Sequence, residues 1–276
     1  MTATTVTPMV PRRGNVTQTR VLRSEWTKLR SLRSTRWSLL AAVVSLAGLS
    51  MLVAAVQISQ WSNLPERLAA QERAHFSSID ASVGGYHLAQ LAIGVLGVLV
   101  ISGEYSTGMI RSTLMAVPRR LPVLWAKLGV FAAVVFVLML AFALVSFFAV
   151  QAIVSGEGVN QTIGDPDALR VVVGTALYLT VLGVLGLSLG ALLRNTAAAI
   201  SALVGVMVIL PVVSQLLPSS TSEAIGPYLP LNAGSAVATA EHSTHVLAPW
   251  TGFGIFCAYT ALFIATAAFR MMRRDA

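Results

Sequence analysis

The feature that most constrains this chain is a series of six apolar segments, each long enough or nearly long enough to cross a membrane as a helix. A crossing helix needs about 20 mostly apolar residues, because lipid offers no partner to backbone polar groups. Only 11% of the residues are charged, whereas soluble domains carry about 25%. The sequence therefore predicts an all-α polytopic membrane protein with transmembrane helices at about 37–58, 86–102, 124–154, 171–193, 197–217 and 250–270.

The charges between these segments alternate, and the alternation predicts an orientation. Basic residues dominate before the first span, between the second and third, between the fourth and fifth, and at the C-terminus; the other three connections are acidic or nearly balanced. Because positive residues collect on the cytoplasmic side, both termini are expected in the cytoplasm. The net charge of +8 is therefore attributed to membrane topology, and no nucleic-acid binding is predicted.

The segment before the first span predicts a helix at the membrane surface. Residues 1–18 are expected to be a disordered cytoplasmic tail, and 19–276 a single six-span membrane domain. After the tail, apolar side chains recur at helical spacing while basic ones lie largely off that stripe, which is typical of a helix lying flat on an anionic membrane. The alternative is a cluster of topology-determining charges that need not fold. The residues assigned to this interfacial helix are Leu22, Arg23, Trp26, Lys28, Leu29 and Arg30.

The connection after the second span, "ISGEYSTGMIRSTLMAVPRR", predicts a short cytoplasmic helix at about 104–116. Ser102 or Ser106 could begin such a helix, and Pro118 could not lie deep within one. Its apolar side would include Met109 and Leu114. Because so short a helix is marginal alone in water, we expect a membrane surface or a partner protein to cover that side. The alternative is a charged connector without a partner.

Two segments carry a resemblance to a known family. "EWTKLRSLRSTRW" at 25–37 and "GEYSTGMIRSTLMAVPRR" at 103–120 resemble the type-2 ABC exporter permeases, in the compact six-span form common in high-GC Gram-positive bacteria. The resemblance implies that the second segment forms a coupling helix, which docks on a separate ATPase subunit. Met109 stands where the family usually has threonine. The residues that the resemblance assigns to this coupling loop are Glu104, Tyr105, Gly108, Met109, Arg111 and Leu114.

The resemblance also implies partners and a location. The partners would be an ABC ATPase and a second permease, the same or related, across a face that includes the first and fifth spans. ATP and Mg would be bound by the ATPase, with no cofactor in this chain. The sequence contains no G-x-x-x-x-G-K-[ST] motif, which agrees with that division. The location implied is the cytoplasmic membrane of a bacterium.

The residues inside the spans bear on the cargo. Almost none is charged, which argues against an ion-coupled carrier. Lys127 is expected to extend to the cytoplasmic interface. We therefore expect export of an apolar or amphiphilic substrate. The alternatives are an ATP-independent immunity or scaffold protein that acts only by binding in the membrane, and an intramembrane protease.

Three further patterns are predicted to be structural. "GLSLG" at 186–190 matches G-x-S-x-G, but it lies within the fourth span, so Gly183, Gly186 and Gly190 are predicted to form a helix-packing face and no residue is predicted to be catalytic. "EHSTH" at 241–245 offers too few ligands for a metal site. For 218–249 the resemblance implies short re-entrant helices, and the alternative is an ordinary external loop.

Overall fold

The structure, a computed structural model, describes residues 17–109, 115, 120–240 and 247–273, and all structural statements refer to these. The regular structure in this part of the chain is entirely helical, without strands. The predicted all-α class with six spans is confirmed. The six helices long and apolar enough to cross a membrane are Arg33–Trp61, Ser78–Ser106, Leu121–Glu157, Ala168–Leu193, Thr196–Ser214 and Pro249–Arg273, here called the first to sixth spans.

Shorter helices flank and connect these spans. The N-terminal helix is Gln18–Ser31, and the helix Glu66–His75 lies between the first and second spans. After the fifth span come the helices Ser219–Ile225 and Pro230–Ser235, followed respectively by the 3-10 turns Gly226–Tyr228 and Ala236–Ala238. Within the spans, the separate helical pieces are Arg33–Val43, Ser50–Trp61, Ser78–Val83, Tyr86–Ser106, Arg120–Val154, Thr196–Val204 and Leu210–Ser214.

The second span is longer than the predicted 86–102 at both ends. It begins at Ser78 because Ser77 caps it, accepting a hydrogen bond from the Asp80 N–H at 3.2 Å. It continues to Ser106 and ends as Gly108 adopts a left-handed conformation, with φ of 71°. Glu104 therefore lies inside the helix of the second span, and the prediction of a new helix beginning there is wrong.

The second and fourth spans form the centre of the bundle. In their most apolar windows, 61% and 72% of the residues are buried, against 33% in the third span, 28% in the first and the sixth, and 22% in the fifth. The core includes Ile93, Phe131 and Tyr178, all fully buried. The first and fifth spans therefore leave most of their apolar surface for lipid or another chain.

The contacts divide the span ends into two groups. At what we call the basal end, the Thr196 hydroxyl lies 2.9 Å from Ser102 Oγ, and Arg270 donates to the carbonyl of Leu192 at 2.8 Å. At the opposite, distal end, Arg73 pairs with Glu157 at 2.9 Å. The N-terminal helix and the other basic connections that are described lie at the basal end, and the acidic connections lie at the distal end.

The first and fifth spans each contain a π-helical turn. In the fifth span it covers Gly205–Ile209, just before Pro211. Because proline has no N–H and its ring clashes with the carbonyl four residues earlier, a widened turn relieves the clash. The fifth span thus accommodates Pro211 with a π-turn.

The π-turn of the first span, Val44–Leu49, is fastened to the second span. Ser50 Oγ donates to the carbonyl of Leu46 at 2.6 Å and accepts from the Gly85 N–H at 2.9 Å. A Cβ at Gly85 would lie under 3.0 Å from the Ser45 carbonyl oxygen, so only glycine allows the backbones to approach this closely.

The segment after the fifth span packs on the distal ends of the fourth and sixth spans. Ala233 and Val237 are fully buried, and Arg170 donates to the carbonyls of Val237 and Thr239 at 3.4 and 2.9 Å. A Cβ at Gly174 would lie under 3.0 Å from the Val237 oxygen. Irregular backbone is tolerated at membrane depth only where protein or a water-filled cavity surrounds it. Ser219–Ile225 and Gly226–Tyr228 contain no buried residue, and the re-entrant course of 218–249 stays a prediction.

Candidate functional site

The N-terminal helix packs against the third span. Val21 contacts Val123 and Ala126, and Leu29 joins the central core; both are about 95% buried. Leu22 and Trp26 point away from the protein, 37% and 50% exposed, and stay available to a membrane surface. The predicted apolar stripe is therefore divided between protein and solvent or lipid. Arg23 and Arg30 are also exposed, whereas Lys28 is turned inward.

Four charged side chains meet where this helix reaches the second and third spans. Lys127 pairs with Glu25 and, at 2.9 Å, with Glu104. Lys28 pairs with Glu25 at 2.7 Å and with Glu104 at 3.0 Å. Each lysine thus contacts both acids, and the formal charges sum to zero. We call these four residues the ion cluster.

The ion cluster is largely removed from solvent. The side chains of Lys127 and Glu25 are each 3% exposed, Glu104 is 7% exposed and Lys28 is 23% exposed. The prediction that Lys127 extends to the interface is wrong, because two acids from neighbouring helices hold it inside. Burying ions costs solvation free energy, and only close partners offset that cost. Glu104 Oε2 is buried without a hydrogen bond from any described residue.

The pKa of Lys28 is raised above its usual 10.5 within this cluster. Burial acts to lower that pKa, but the hydrogen bond to Glu25 and the charges of Glu104 and Glu25 together outweigh the burial. Because folding raises the pKa of a basic group, its contribution to stability is present at neutral pH, and it is lost only as the pH rises through 10.5 and above. Lys28 is therefore positively charged at physiological pH.

The ion cluster lies at the base of the segment between the second and third spans. Glu104 is in the last turn of the second span, and Lys127 lies near the start of the third. The side chain of Gln18 adds a contact by donating to the carbonyl of Pro122 at 3.2 Å. The helices on both sides of residues 107–119 are thus tied to each other and to the N-terminal helix.

The structure separates the residues predicted for the coupling loop. Glu104 is buried in the ion cluster and does not lie on an exposed loop. Tyr105 is half-buried, with the Arg194 guanidinium 5.3 Å from its ring centre. Gly108 ends the helix, and Met109 is 42% exposed. Arg111 and Leu114 lie outside the described residues.

The predicted packing glycines lie where the fourth span meets the second and third. At Gly183 a Cβ would lie 2.7 Å from the ring of Phe131, and at Gly186 it would lie under 3.0 Å from the carbonyl oxygen of Gly94. At Gly190 it would meet the Ile101 side chain at 2.7 Å. Close approach of two backbones is what small residues permit in membrane helices.

Ser188, the serine of the G-x-S-x-G match, has a structural hydrogen bond. Its hydroxyl donates to the carbonyl of Leu185 at 2.7 Å inside the fourth span, and the residue is 1% exposed.

Within the described residues there is no group of three or more His, Cys, Asp or Glu that could hold a metal ion. His242 and His245 lie outside those residues, so that prediction stays untested.

The ion cluster was not predicted as a unit, although two features of the sequence point towards it. Lys127 is the only charged residue in the predicted third span, and Glu25 is the only acid in the basic N-terminal segment. An ionisable residue within a span usually has a buried partner. Pairing these two isolated opposite charges would have brought the N-terminal helix to the third span.

One comparison with known proteins gives a match. The model of a family described as ABC-2 family transporter protein matches residues 21–214, from the N-terminal helix to the end of the fifth span. Neither the curated proteins nor the solved structures include a match.

Proposed function

The chain belongs to the ABC-2 family of transporter proteins, and from that premise we propose that it is the permease of an ATP-driven exporter whose ATPase is a separate chain. Membership in this family agrees with a transport subunit more than with an enzyme. Members typically work with an ATPase subunit. The whole sequence lacks a P-loop motif, so ATP and Mg would be bound by that partner.

The observation that carries this proposal is the ion cluster. It joins the second span, the third span and the N-terminal helix next to the segment 107–119. A force applied to that segment by a partner would therefore reach three helices together. Buried charge pairs have strict geometric requirements, so they transmit displacement better than a loose apolar contact. The ATPase would grip the segment through the exposed Met109 and through Arg111, which lies outside the described residues, and Glu104 would anchor the segment.

The orientation and assembly belong to the same proposal. The basal end would face the cytoplasm of a bacterium, because the basic segments gather there. A second permease would cover the first and fifth spans, the face that the family resemblance implies. Both leave most of their apolar surface exposed, as the third and sixth spans also do. The cargo would be apolar or amphiphilic, since the only buried ionisable cluster is neutral by formal charge within the part of the chain described.

The orientation can be tested by cysteine labelling. In a Cys257→Ala background, which removes the sole native cysteine, Ser106→Cys at the basal end and Ser62→Cys at the distal end introduce single exposed thiols. A membrane-impermeant maleimide is expected to label position 62 in intact cells and position 106 only after permeabilisation. Labelling of position 106 from outside would reverse the orientation and remove the basis for ATPase docking.

The coupling can be tested by charge reversal at Arg111, with Arg67→Glu as the matched control. Arg67 is exposed between the first and second spans, at the distal end. Tagged protein is purified in mild detergent from its native cells, and vanadate-sensitive ATP hydrolysis is measured. Wild type and Arg67→Glu are expected to retain the activity, whereas Arg111→Glu should reduce it on the order of 10-fold, because like charges at an interface repel. Wild-type protein without any associated ATPase would favour the ATP-independent scaffold.

A further inference from the structure

A cavity of about 740 Å³ opens at the distal end, away from the ion cluster. Its walls are the last turns of the first span, the helix Glu66–His75 and the start of the second span. Small organic ligands occupy clefts of about 300–1,000 Å³, so the volume suits one such molecule. The lining includes Gln57, Gln60, Trp61, Glu72, Phe76 and Asp80.

The cavity wall is apolar on one part and acidic on another. Trp61 and Phe76 form an edge-to-face pair with ring centres 5.2 Å apart. Glu72 and Asp80 are the acids, and no lysine or arginine lines the cavity. Such a wall favours a ligand that carries both an apolar body and a positive charge.

The negative charge of the two acids is not neutralised by an ion pair with any described residue. Glu72 is exposed and forms no hydrogen bond or ion pair there. Asp80 accepts from Ser77 Oγ at 2.8 Å and from the Ala240 N–H at 2.7 Å, which fixes its carboxylate without supplying a cation. Arg73 lies 6.0 Å from the ring centre of Trp61 outside the lining, and it pairs with two other acids, Glu66 and Glu157. His75 is the one basic residue among those that line the cavity.

Two amides support a ligand-accessible cavity instead of a lipid-facing surface. Gln57 and Gln60 lie on the face of the first span that lines the cavity, and both are exposed. Neither side-chain amide forms a hydrogen bond with a described residue, although the backbone of both residues is bonded within the helix. An amide left facing hydrocarbon would carry a desolvation cost of several kcal/mol, so this face is expected to be hydrated or to contact a polar group of a ligand.

We propose that this distal cavity binds an amphiphilic organic cation, with its apolar body against Trp61 and Phe76 and its charge beside Glu72 and Asp80. The binding itself requires only this chain. That the bound cation is the exported cargo rests on the proposed function. The cavity would then be the place where cargo is held on the side of the membrane opposite the ATPase.

Binding can be measured on the purified permease alone, in lipid nanodiscs, by isothermal titration calorimetry. The probes are tetraphenylphosphonium and tetraphenylborate, which have similar size and shape but opposite charge; empty nanodiscs correct for partition into lipid. The phosphonium is expected to bind saturably, and the borate is not. Equal binding of both ions, or no saturable binding of the phosphonium, would overturn the proposal.

Two variants locate the site. Glu72→Gln removes an exposed charge that has no ion pair among the described residues, and it is expected to weaken phosphonium binding on the order of 10-fold, as loss of a charge pair near a protein surface would. Gln57→Lys places a cation on the wall and should abolish binding. Glu223→Gln removes an exposed acid outside this cavity and should change nothing. Unaltered affinity in Glu72→Gln and Gln57→Lys would overturn the assignment, whatever the ATPase assay gives.

Discussion

Replacing Lys127 with methionine is expected to lower the free energy of unfolding by about 3–5 kcal/mol, because it leaves two buried carboxylates with one partly exposed lysine. Glu25 and Glu104 would retain only Lys28, whose side chain is 23% exposed against 3% for Lys127. Methionine preserves much of the lysine's volume, so the effect would report the charge and not a cavity. The expected result is a protein that unfolds at a much lower temperature in detergent.

The measurement is the unfolding midpoint followed by intrinsic fluorescence from the five tryptophans. Lys28→Met is the matched control and should cost less, since Lys28 is more exposed. The double variant Glu104→Gln with Lys127→Met keeps one acid and one base, and should be more stable than the sum of the single changes predicts, by about 0.5–3 kcal/mol. Additive losses in the double variant would show that the four side chains do not act as one cluster.

The six spans could be predicted because lipid imposes a simple requirement on the sequence. Each span must satisfy its backbone groups within its own helix and present apolar side chains, so length and hydropathy suffice. The alternating charges of the connections agree with how the contacts divide the described span ends. Where the prediction of bounds failed, as at Glu104, a charge inside the helix was taken for the end of the helix.

The ion cluster could not be derived in the same way, because it depends on the positions of helices relative to each other. A hydropathy profile registers Lys127 only as an unfavourable charge within a span, and Glu25 only as one acid among basic neighbours. Only tertiary packing brings these two side chains together. The same packing turns Lys28 towards the protein, although Lys28 was assigned to a helix predicted to face the membrane. A stripe of apolar residues identifies a helix face, but it does not say whether lipid or protein covers that face.

The same limit applies to the glycines. The spacing of Gly186 and Gly190 predicted a close helix contact, but the sequence did not say with which helix. The structure pairs Gly186 with Gly94 and Gly183 with Gly97, so the second and fourth spans meet backbone to backbone. Each span supplies two glycines to this contact. A Cβ at Gly97 or Gly186 would meet the backbone of the facing helix, whereas a Cβ at Gly94 or Gly183 would first meet side chains.

Gly97→Ala is accordingly expected to lower the free energy of unfolding by about 1–3 kcal/mol, the usual cost of overpacking. Its Cβ would lie under 3.0 Å from the Gly183 carbonyl oxygen, which belongs to a helix backbone and cannot rotate away. Gly129→Ala is the matched control, because a Cβ there meets nothing within 4 Å, and higher helix propensity should stabilise it slightly. The unfolding midpoints of both variants are measured in detergent. If the second and fourth spans touch through glycine, Gly97→Ala should lower the midpoint and Gly129→Ala should raise it slightly. A Gly97→Ala protein as stable as wild type would mean that the two backbones are not in contact at Gly97.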